Sequence, residues 1–323
     1  MRIGTRGSAL ALAQAGHVAE LLTASGATPP PELVTITTSG DRAGQGDRRD
    51  GDNRTVPQTS PPGGAPEDKS RWVDAIEAAL LAGEIDLAVH SAKDVPGELA
   101  AGLTLLGAPP RVGAEDALCG APGLEALPAG ARVGTSSVRR AAQLRAARED
   151  LEIVPLGGNV DTRLRRLAEG GIDAIVLARA GLQRLGREDE IGALLDPARF
   201  VPAPGQGVLA LEGRTDDARA AEAVAAIVDA DTFVCLQAER AVAHALDASC
   251  HTPLGAHAVP AGCGCLNLRA WVGLPDGSAW LADELLGGFY DPAGLGVRVA
   301  ERITAAGAGE LLARAAGMTV EHA

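Results

Sequence analysis

Aromatic residues are scarce in this chain: Phe, Tyr and Trp together make up 2% of its 323 residues. Since 46% of the residues are hydrophobic, a sizeable core is possible, but Ala, Leu, Val and Ile must supply most of it. Long apolar runs are missing too, and none approaches the roughly 20 residues that a membrane-spanning helix requires. The first residues show no signal-peptide pattern. We therefore expect a cytoplasmic protein with no membrane partner.

Positive charge and cysteine are also in short supply. The formal net charge is −13, which argues against a general nucleic-acid-binding surface but permits a local cationic cleft for a small anionic ligand. Five cysteines, an odd number in a chain of this length, do not indicate a disulfide framework. The length itself is enough for two or three domains.

The most informative local pattern is Gly134-Thr135-Ser136-Ser137-Val138-Arg139-Arg140. Its apolar lead-in at 131–133 predicts the end of a strand, and the apolar spacing over 138–148 predicts a helix. Hydroxyls at such a junction cap the free N–H groups of the first helical turn, and a bound carboxylate or phosphate can use the same donors. Two adjacent arginines add planar donors that suit carboxylates. From the residues alone, an anion site and an ordinary cap followed by a solvated basic turn are equally good interpretations.

Similar side chains occur at other predicted junctions. The turn at 5–8 carries Arg6 and Ser8, and the turn at 157–159 leads into a helix bearing Arg163. A short apolar strand at 86–90 is followed by a polar set: Ser91, Lys93 and Asp94. Because ligands of open α/β sheets bind at the carboxyl ends of the strands, we predict a binding site there. The alternative is a polar loop with a Lys93–Asp94 neighbour pair.

Composition divides the chain into units. Residues 40–70 are rich in Gly, Pro, Asp and Arg and almost devoid of apolar residues, which predicts a lid or a dispensable disordered insertion. Rigid Pro/Gly segments at 108–111 and 200–207 predict two crossings between α/β units, and hence a hinge. The last third combines helices with alternating strands and predicts a small α+β domain.

Six stretches resemble motifs of the porphobilinogen deaminase (hydroxymethylbilane synthase) family, in the family's order. Any one of them is weak evidence, but the six together are highly specific. They are Arg2-Ile3-Gly4-Thr5-Arg6-Gly7-Ser8-Ala9-Leu10-Ala11-Leu12, Ala88-Val89-His90-Ser91-Ala92-Lys93-Asp94-Val95-Pro96, the stretch from Gly134 to Arg140, Gly158-Asn159-Val160-Asp161-Thr162-Arg163-Leu164, Pro204-Gly205-Gln206-Gly207 and Ala238-Glu239-Arg240-Ala241.

The resemblance implies an α/β fold class: two hinged domains like those of periplasmic binding proteins, plus a small C-terminal α+β domain. It assigns residues 1–110 and 203–228 to domain 1, with the lid loop at 40–70. Domain 2 then covers 111–202, and domain 3 covers 229–323. A monomer is also what the resemblance implies.

The resemblance further implies a reaction. Four porphobilinogen molecules condense stepwise onto a covalent dipyrromethane cofactor with loss of ammonia, and the linear tetrapyrrole hydroxymethylbilane is released by hydrolysis. Cys250 matches the cysteine that holds the cofactor through a thioether, and Asp94 matches the catalytic aspartate. One carboxylate can assist loss of ammonia when protonated or hydrogen-bonded to the amine, and can stabilise the resulting methylene-pyrrole cation when ionised. Lys93 favours the ionised form of Asp94.

Porphobilinogen carries acetate and propionate groups, so a growing chain presents many carboxylates for arginines to bind. For the cofactor, the resemblance implies the contacts Cys250, Lys93, Asp94, Thr135, Ser136, Ser137, Arg139, Arg140, Gly158, Arg163 and Arg184. For the substrate, it implies Arg6, Ser8, Ser91, Gln206, Trp72 and Lys69. No metal is implied.

Two departures from the family pattern stand out. Gly157 occupies a position where the family usually has Arg, and Arg165 or Arg166 on the following helix are the candidate substitutes. The 40–70 loop is longer than the family's Gly-rich lid, with Lys69 as its candidate lysine and Trp72 in place of the usual Phe. Trp72 keeps an aromatic ring that can stack on a pyrrole.

Two other interpretations remain open at this point. A diverged anion-binding paralogue, weakly active or inactive, would use the same arginine-lined cleft without needing Asp94 or Cys250. A structural zinc site could be drawn from Cys250, His251, His257, Cys263 and Cys265, although their spacings match no strong zinc pattern. A reduced hairpin turn explains Cys263-Gly264-Cys265 equally well, and Cys119 and Cys235 are predicted to be small buried side chains.

Overall fold

Three sheets organise the protein, as a computed structural model shows for residues 1–36, 70–249 and 251–320. The strands are β1 (Arg2–Thr5), β2 (Glu32–Thr35), β3 (Leu87–Ser91), β4 (Leu103–Gly107), β5 (Asp116–Cys119), β6 (Arg132–Gly134), β7 (Glu152–Val154), β8 (Ala174–Ala178), β9 (Ala193–Leu195), β10 (Leu209–Arg214), β11 (Leu254–Pro260), β12 (Cys265–Gly273) and β13 (Trp280–Gly288). The helices are α1 (Ala9–Ala24), α2 (Ser70–Leu81), α3 (Val138–Ala147), α4 (Val160–Ala168), α5 (Arg179–Arg184), α6 (Ala218–Ala225), α7 (Ala230–Ala245), α8 (Pro292–Ala305) and α9 (Ala308–Val320).

Two five-stranded sheets share one topology. The first has the order β2-β1-β3-β10-β4 and the second the order β7-β6-β8-β5-β9. In each sheet the first three strands of this order are parallel. The fourth strand, β10 or β5, enters from the other unit and runs antiparallel to both of its neighbours. The chain crosses to the second sheet between β4 and β5 and returns between β9 and β10. These are the two crossings that the Pro/Gly segments predict.

The last unit is an antiparallel sheet, β11-β12-β13, packed against α7, α8 and α9. Its core is aliphatic, with Leu266, Leu268 and Val299 fully buried. The predicted fold class is therefore confirmed: two α/β units followed by a small α+β unit. No helix in the described ranges is long and apolar enough to cross a membrane.

Local sequence explains how three of the helices begin. Ser8, Ser137 and Asn159 cap α1, α3 and α4 through side-chain oxygens that accept backbone N–H bonds. Close packing constrains the strand before α3, because a Cβ built on Gly134 would lie 2.8 Å from Leu156 and 3.1 Å from Ile175. A side chain there would push β6 away from its neighbours, so the turn into α3 depends on glycine.

Most differences from the predicted elements lie at their ends. The sequence predicts a helix over 216–228, whereas α6 is shorter and begins after Asp217, whose side chain caps it. The three-residue strand β9 was not predicted, because so short a run carries no readable alternation. Residues 37–69, which include most of the predicted lid, lie outside the described part of the chain.

Candidate active site

The polar turns predicted from the sequence lie at the carboxyl ends of parallel strands in both α/β units. Arg6 and Ser8 follow β1, and Asp94 follows β3. In the second unit, Ser136 follows β6 and Arg184 lies on α5, directly after β8. These two edges face each other, since a Cβ built on Gly181 of α5 would lie 3.9 Å from Leu10 of α1. The fold therefore brings the polar turns to one cleft.

Hydroxyl groups at these turns serve first as helix caps. The Oγ of Ser8 accepts from the N–H of Ala11 at 3.3 Å, and the Oγ of Ser137 accepts from the N–H of Arg140 at 3.4 Å. Thr135 is buried, and its Oγ1 accepts from the N–H of Ser137 at 3.1 Å. Ser136, by contrast, is exposed. Each capping hydroxyl keeps its own O–H for donation, so capping and anion binding are compatible.

Arg139 and Arg140 do not form a solvated basic turn, so that interpretation is wrong. Both guanidinium groups are buried and bind the carboxylate of Asp116, which is 1% exposed. Arg139 donates to both carboxylate oxygens at 2.8 and 3.2 Å, and the Nε of Arg140 donates to Oδ1 at 2.9 Å. Their remaining bonds go to the carbonyls of Val201 and Val176 and to Gln206. A role in cofactor binding therefore requires a ligand carboxylate to share guanidiniums that Asp116 already binds.

The buried pair of arginines also acts on Asp116. Burial alone would raise the pKa of the Asp116 carboxyl, but Arg139, Arg140 and a bond from Gln206 hold it well below its usual value. The carboxylate is thus ionised throughout the physiological pH range and anchors α3 to β5.

Gln206 corrects a second prediction. It was predicted to contact substrate, but its side chain is fully buried in the return crossing. Its amide nitrogen donates to the carbonyl of Ala114 at 2.6 Å and to Asp116 at 2.8 Å, while its amide oxygen accepts from Arg140 at 3.3 Å. Gln206 therefore ties the two crossings together and has no surface to offer a substrate in this conformation.

Arg163 and Arg184 differ from the buried pair because they donate hydrogen bonds to neutral carbonyl groups. The Nε of Arg163 donates to the carbonyl of Gly158, and Arg184 donates to the carbonyl of Gly207, each at 2.8 Å. Burial lowers the pKa of Arg184 to about 10, and burial together with the nearby charge of Arg140 lowers that of Arg163. Lowered pKa values on half-buried arginines mean that positive charge is undercompensated there, and a bound carboxylate would relieve it.

Asp94 lies on a 3₁₀ turn, Ala92–Asp94, that continues directly from β3. Lys93 is on the same turn, and Ser91 is the last residue of the strand. The segment after Asp94 is held by Arg240 of α7, which donates to the carbonyls of Val95, Pro96 and Gly97 at 3.4, 2.7 and 3.0 Å. The sequence motif around Arg240 supported the family resemblance without revealing this contact.

Beneath this turn lies a buried acid–imidazole pair. The Nε2 of His90 is 2.9 Å from Glu212, which is fully buried on the neighbouring strand β10. Burial and the charge of Glu212 raise the pKa of Glu77 on α2, while Glu212 partly offsets the effect of burial on the pKa of Arg240. The strand that leads to Asp94 therefore packs beside buried ionisable side chains.

Glu239 joins all three units. It is fully buried and accepts from Arg111 on the outgoing crossing at 2.6 Å and from the N–H of Gly205 on the return crossing at 2.6 Å. It also accepts from the N–H of Ala258 on β11 at 2.8 Å. Sequence reasoning assigned it no role, because its partners lie far away along the chain.

Three of the predicted site residues lie wholly or partly outside the part of the chain that the structure describes. Cys250 and Lys69 lie outside the described residues, and for Trp72 only the backbone, on α2, is described. Of the residues near Cys250 in the sequence, Thr252 accepts at its Oγ1 from the N–H of Ser249 at 2.9 Å.

The structure also places the residues around the family's missing arginine. Gly157 and Gly158 are exposed, and Gly158 has a φ of 103°, which favours glycine. Arg165 and Arg166 are exposed, and Arg165 faces Glu169 of its own helix at 3.6 Å. Arg165 is therefore engaged on its own helix surface rather than in place of a residue at 157.

The proposed zinc ligands do not come together where they are described. Among the residues in the described ranges, no three His, Cys, Asp or Glu side chains form a metal-binding group. Cys263 and Cys265 lie in the β11–β12 hairpin, while His257 is on β11 and paired in register with Arg269. Burial lowers the pKa of His257.

The fold and the site define a class: a two-lobed α/β protein with cations and one acidic turn at the facing strand ends, followed by an α+β unit. Comparison with protein families narrows this class. Residues 1–222 match "Porphobilinogen deaminase, dipyromethane cofactor binding domain" and residues 233–305 match "Porphobilinogen deaminase, C-terminal domain". The chain belongs to the porphobilinogen deaminase family, a family of transferases of porphyrin biosynthesis, and it contains that family's dipyrromethane cofactor binding domain. The resemblance predicted from six motifs is confirmed.

Whole-chain relatives agree with the family match. The porphobilinogen deaminases of Deinococcus radiodurans and of a Roseiflexus species are each 44% identical over 313 residues. The matches cover 96% of this chain and 97% and 98% of those proteins. Among solved structures, the chain is similar to the periplasmic VFT2 domain of Bordetella pertussis BvgS, with a TM-score of 0.39, 15% identity and coverage of 70% of this chain and 86% of that one. The chain is also similar to a YaeC-family lipoprotein from Enterococcus faecalis, with a TM-score of 0.42 and 13% identity. That match covers 71% of this chain and 91% of the lipoprotein.

Proposed function

We infer that this protein condenses four porphobilinogen molecules stepwise, forming carbon–carbon bonds and releasing ammonia each time, and then releases hydroxymethylbilane by hydrolysis. The observation that best supports this proposal is that Asp94 lies on a turn at the carboxyl end of β3, while half-buried Arg184 lies on the helix directly after β8 of the second unit. A substrate that carries carboxylates and an amine that leaves as ammonia needs cationic groups to bind the carboxylates and a carboxyl group to assist the amine. Membership of the family supports this class of reaction, and the arginines and Asp94 are side chains of the kinds that the reaction needs.

The residues present fit a carboxylate-bearing dipyrromethane group. Arg163 and Arg184 carry undercompensated charge, and the exposed hydroxyl of Ser136 lies at the N-terminus of α3, where helix N–H groups favour anions. When bound, the dipyrromethane supplies the pyrrole carbon nucleophile. In this proposal Cys250 holds it covalently, and the two arginines, with Ser136 and Ser137, hold its carboxylates. Arg139 and Arg140 contribute through the charge they share with Asp116.

Asp94 is the proposed acid–base group. Its carboxyl donates or shares a proton with the substrate's amine as ammonia leaves, and its carboxylate then faces the positive charge that develops on the substrate's methylene carbon. The turn carrying it is fixed on both sides, by β3 and by Arg240. A fixed position keeps the carboxylate close to the reacting carbon in each of the four cycles.

The remaining expectations belong to the same proposal. Substrate contacts are assigned to Arg6, Ser8 and Ser91, together with Trp72 of α2 and Lys69, which precedes α2 in the sequence. The three domains are assigned as residues 1–110 with 203–228, 111–202 and 229–323, and the enzyme is proposed to work as a cytoplasmic monomer. Sedimentation of the purified protein at one chain mass supports the monomer, and a concentration-independent dimer contradicts it.

Replacing Asp94 by Ala tests the proposed chemistry. We expect turnover of porphobilinogen to fall by at least about 10²-fold, the scale of a positioned acid–base group. The matched control is Asp216→Ala, which replaces an exposed aspartate just after the C-terminal end of β10. Near-normal turnover by the Asp94 variant removes Asp94 from its role. A wild-type protein that carries the dipyrromethane but does not turn over porphobilinogen contradicts the proposed function itself.

A further inference from the structure

The hairpin between β11 and β12 carries two cysteines that the proposed function does not use. Cys263 is exposed and Cys265 is half-buried, and both thiols are free. The hairpin tip is distant from Leu254, where β11 begins, because the seven residues of that strand span about 20 Å. The proposed reaction therefore gives these two cysteines no role.

The tip is a tight turn of defined geometry. The N–H of Cys265 donates to the carbonyl of Gly262 at 3.0 Å, and the two central residues have positive φ, 51° for Cys263 and 69° for Gly264. Two consecutive positive φ values in a hydrogen-bonded turn are the signature of type I′. Asn, Asp or Gly normally occupies the first central position, so a cysteine there adopts an uncommon conformation. Backbone outliers of this kind direct attention to function.

The same turn brings the two cysteines within bonding range. Two Cα–Cα steps of about 3.8 Å, bent at a turn, leave the ends about 5–6 Å apart. Disulfides join Cα atoms that are roughly 4.4–6.8 Å apart. The Sγ of Cys265 already lies 3.9 Å from the carbonyl oxygen of Cys263. The spacing of the two cysteines at this turn therefore meets the Cα-distance requirement of a disulfide.

Backbone bonds fix the turn before any sulfur chemistry occurs. The N–H of Ala261 donates to the carbonyl of Cys265 at 2.8 Å, and the carbonyl of Gly264 accepts from the N–H of Phe289 at 2.9 Å. Closing a ring across a loop that is already ordered costs little further chain entropy. The neighbouring strand thus holds the two thiols in place.

The other described cysteines are chemically different. Cys119 and Cys235 are buried, and burial raises the pKa of Cys119 to about 11 and that of Cys235 to about 12. Thiols with such pKa values are almost entirely protonated at neutral pH and react slowly, because the thiolate is the nucleophile. Within the described chain, reactive thiol chemistry is therefore concentrated at the hairpin tip.

We propose that Cys263 and Cys265 form a reversible dithiol–disulfide site that reacts with small disulfides such as glutathione disulfide. One cysteine thiolate attacks a sulfur of glutathione disulfide, releasing one glutathione thiolate and forming a mixed disulfide. The second cysteine attacks the protein sulfur of that mixed disulfide and releases the second glutathione. The two cysteines are oxidised to one disulfide, glutathione disulfide is reduced to two glutathione molecules, and the two thiol protons pass to those products.

The test uses the cofactor-loaded protein in buffers of increasing glutathione disulfide content, followed by acid quenching, alkylation and mass measurement. We expect the wild type to lose the mass of two hydrogen atoms and to lose both rapidly alkylated thiols, with recovery in dithiothreitol. Cys263→Ser and Cys265→Ser should each gain one glutathione instead. The matched control Cys119→Ala should behave as the wild type does. Peptide mapping of the wild type locates the crosslink without relying on any variant.

Three results overturn the proposal. A wild type that gains two glutathiones has two independent surface thiols. A wild type that crosslinks between chains has no internal partner for either cysteine. A wild type whose mass and alkylation stay unchanged has thiols that do not exchange.

Discussion

Asp116 shows how a single buried carboxylate can set the acid stability of this protein. It accepts from two guanidinium groups and one amide in a nearly dry environment. Because its pKa in the folded chain is below its value in the unfolded chain, its contribution to stability is fully present above the unfolded pKa near 4. That contribution is lost as the pH falls from there toward the folded pKa.

Asp116→Asn should therefore lower the free energy of unfolding at pH 7 by about 3–5 kcal/mol, the usual cost of removing one partner from a buried pair. The difference in free energy of unfolding between variant and wild type should shrink below about pH 4, because the ionised Asp116 of the wild type then contributes less stability. Urea unfolding across a pH series measures both effects. A gap that is small at pH 7, or that widens in acid, contradicts the role given to this ion pair.

Gly157 offers a second test at the scale of one residue. It is exposed, a Cβ built on it meets nothing within 4 Å, and its φ is not in the left-handed region. Gly157→Arg restores the family's charge without a steric cost, so we expect the KM for porphobilinogen to fall by about 3–10-fold through one added charged hydrogen bond. The matched control is Gly309→Arg, which is equally open but lies in α9. An unchanged KM would show that position 157 does not face the substrate.

Residue types at the strand ends could be predicted from the sequence, but their partners could not. The pattern around Ser137 correctly gave a capped helix, because capping depends on residues only three positions apart. The pairing of Arg139 on α3 with Asp116 on β5 spans 23 residues, and nothing in local spacing reveals it. The same limit explains why Gln206 was taken for a cleft residue.

At the scale of elements, α7 links the turn that carries Asp94 to the segment of the sequence that contains Cys250. It ends at Ala245, five residues before Cys250, and Arg240 on it holds the carbonyls that follow Asp94. A shift of α7 is therefore transmitted to the position of Asp94. Short elements such as β9 escaped prediction, whereas the long periodic helices and the apolar strands were predicted to within a few residues.

Arg240→Met tests this link. Removing three hydrogen bonds frees the turn, so we expect kcat to fall by about 10–100-fold with KM within roughly twofold, because small misplacement of a catalytic group costs rate more than binding. Arg240→Lys should recover part of the loss, and Arg219→Met, on an exposed face of α6, should have no effect. Cofactor content, measured by mass, should be unchanged in all three variants. A loss confined to KM would argue against a positioning role.

For the whole molecule, the three units meet at a small buried polar junction. Glu239 binds both crossings and β11, and Gln206 binds the first residues of the second unit. Any relative movement of the units must turn about this junction or break it. Composition and the Pro/Gly segments were enough to predict two crossings and a third unit. The joining residues could be recognised only once the fold had brought distant segments together.

The central claim is that this chain carries a dipyrromethane on Cys250 and extends it with porphobilinogen. The most direct measurement is the intact mass of the purified protein under denaturing conditions, before and after incubation with porphobilinogen, alongside Cys250→Ser. We predict a mass above that of the bare chain by one dipyrromethane unit, absent from the variant. A wild type that keeps the mass of the bare chain even after incubation with porphobilinogen would contradict the account.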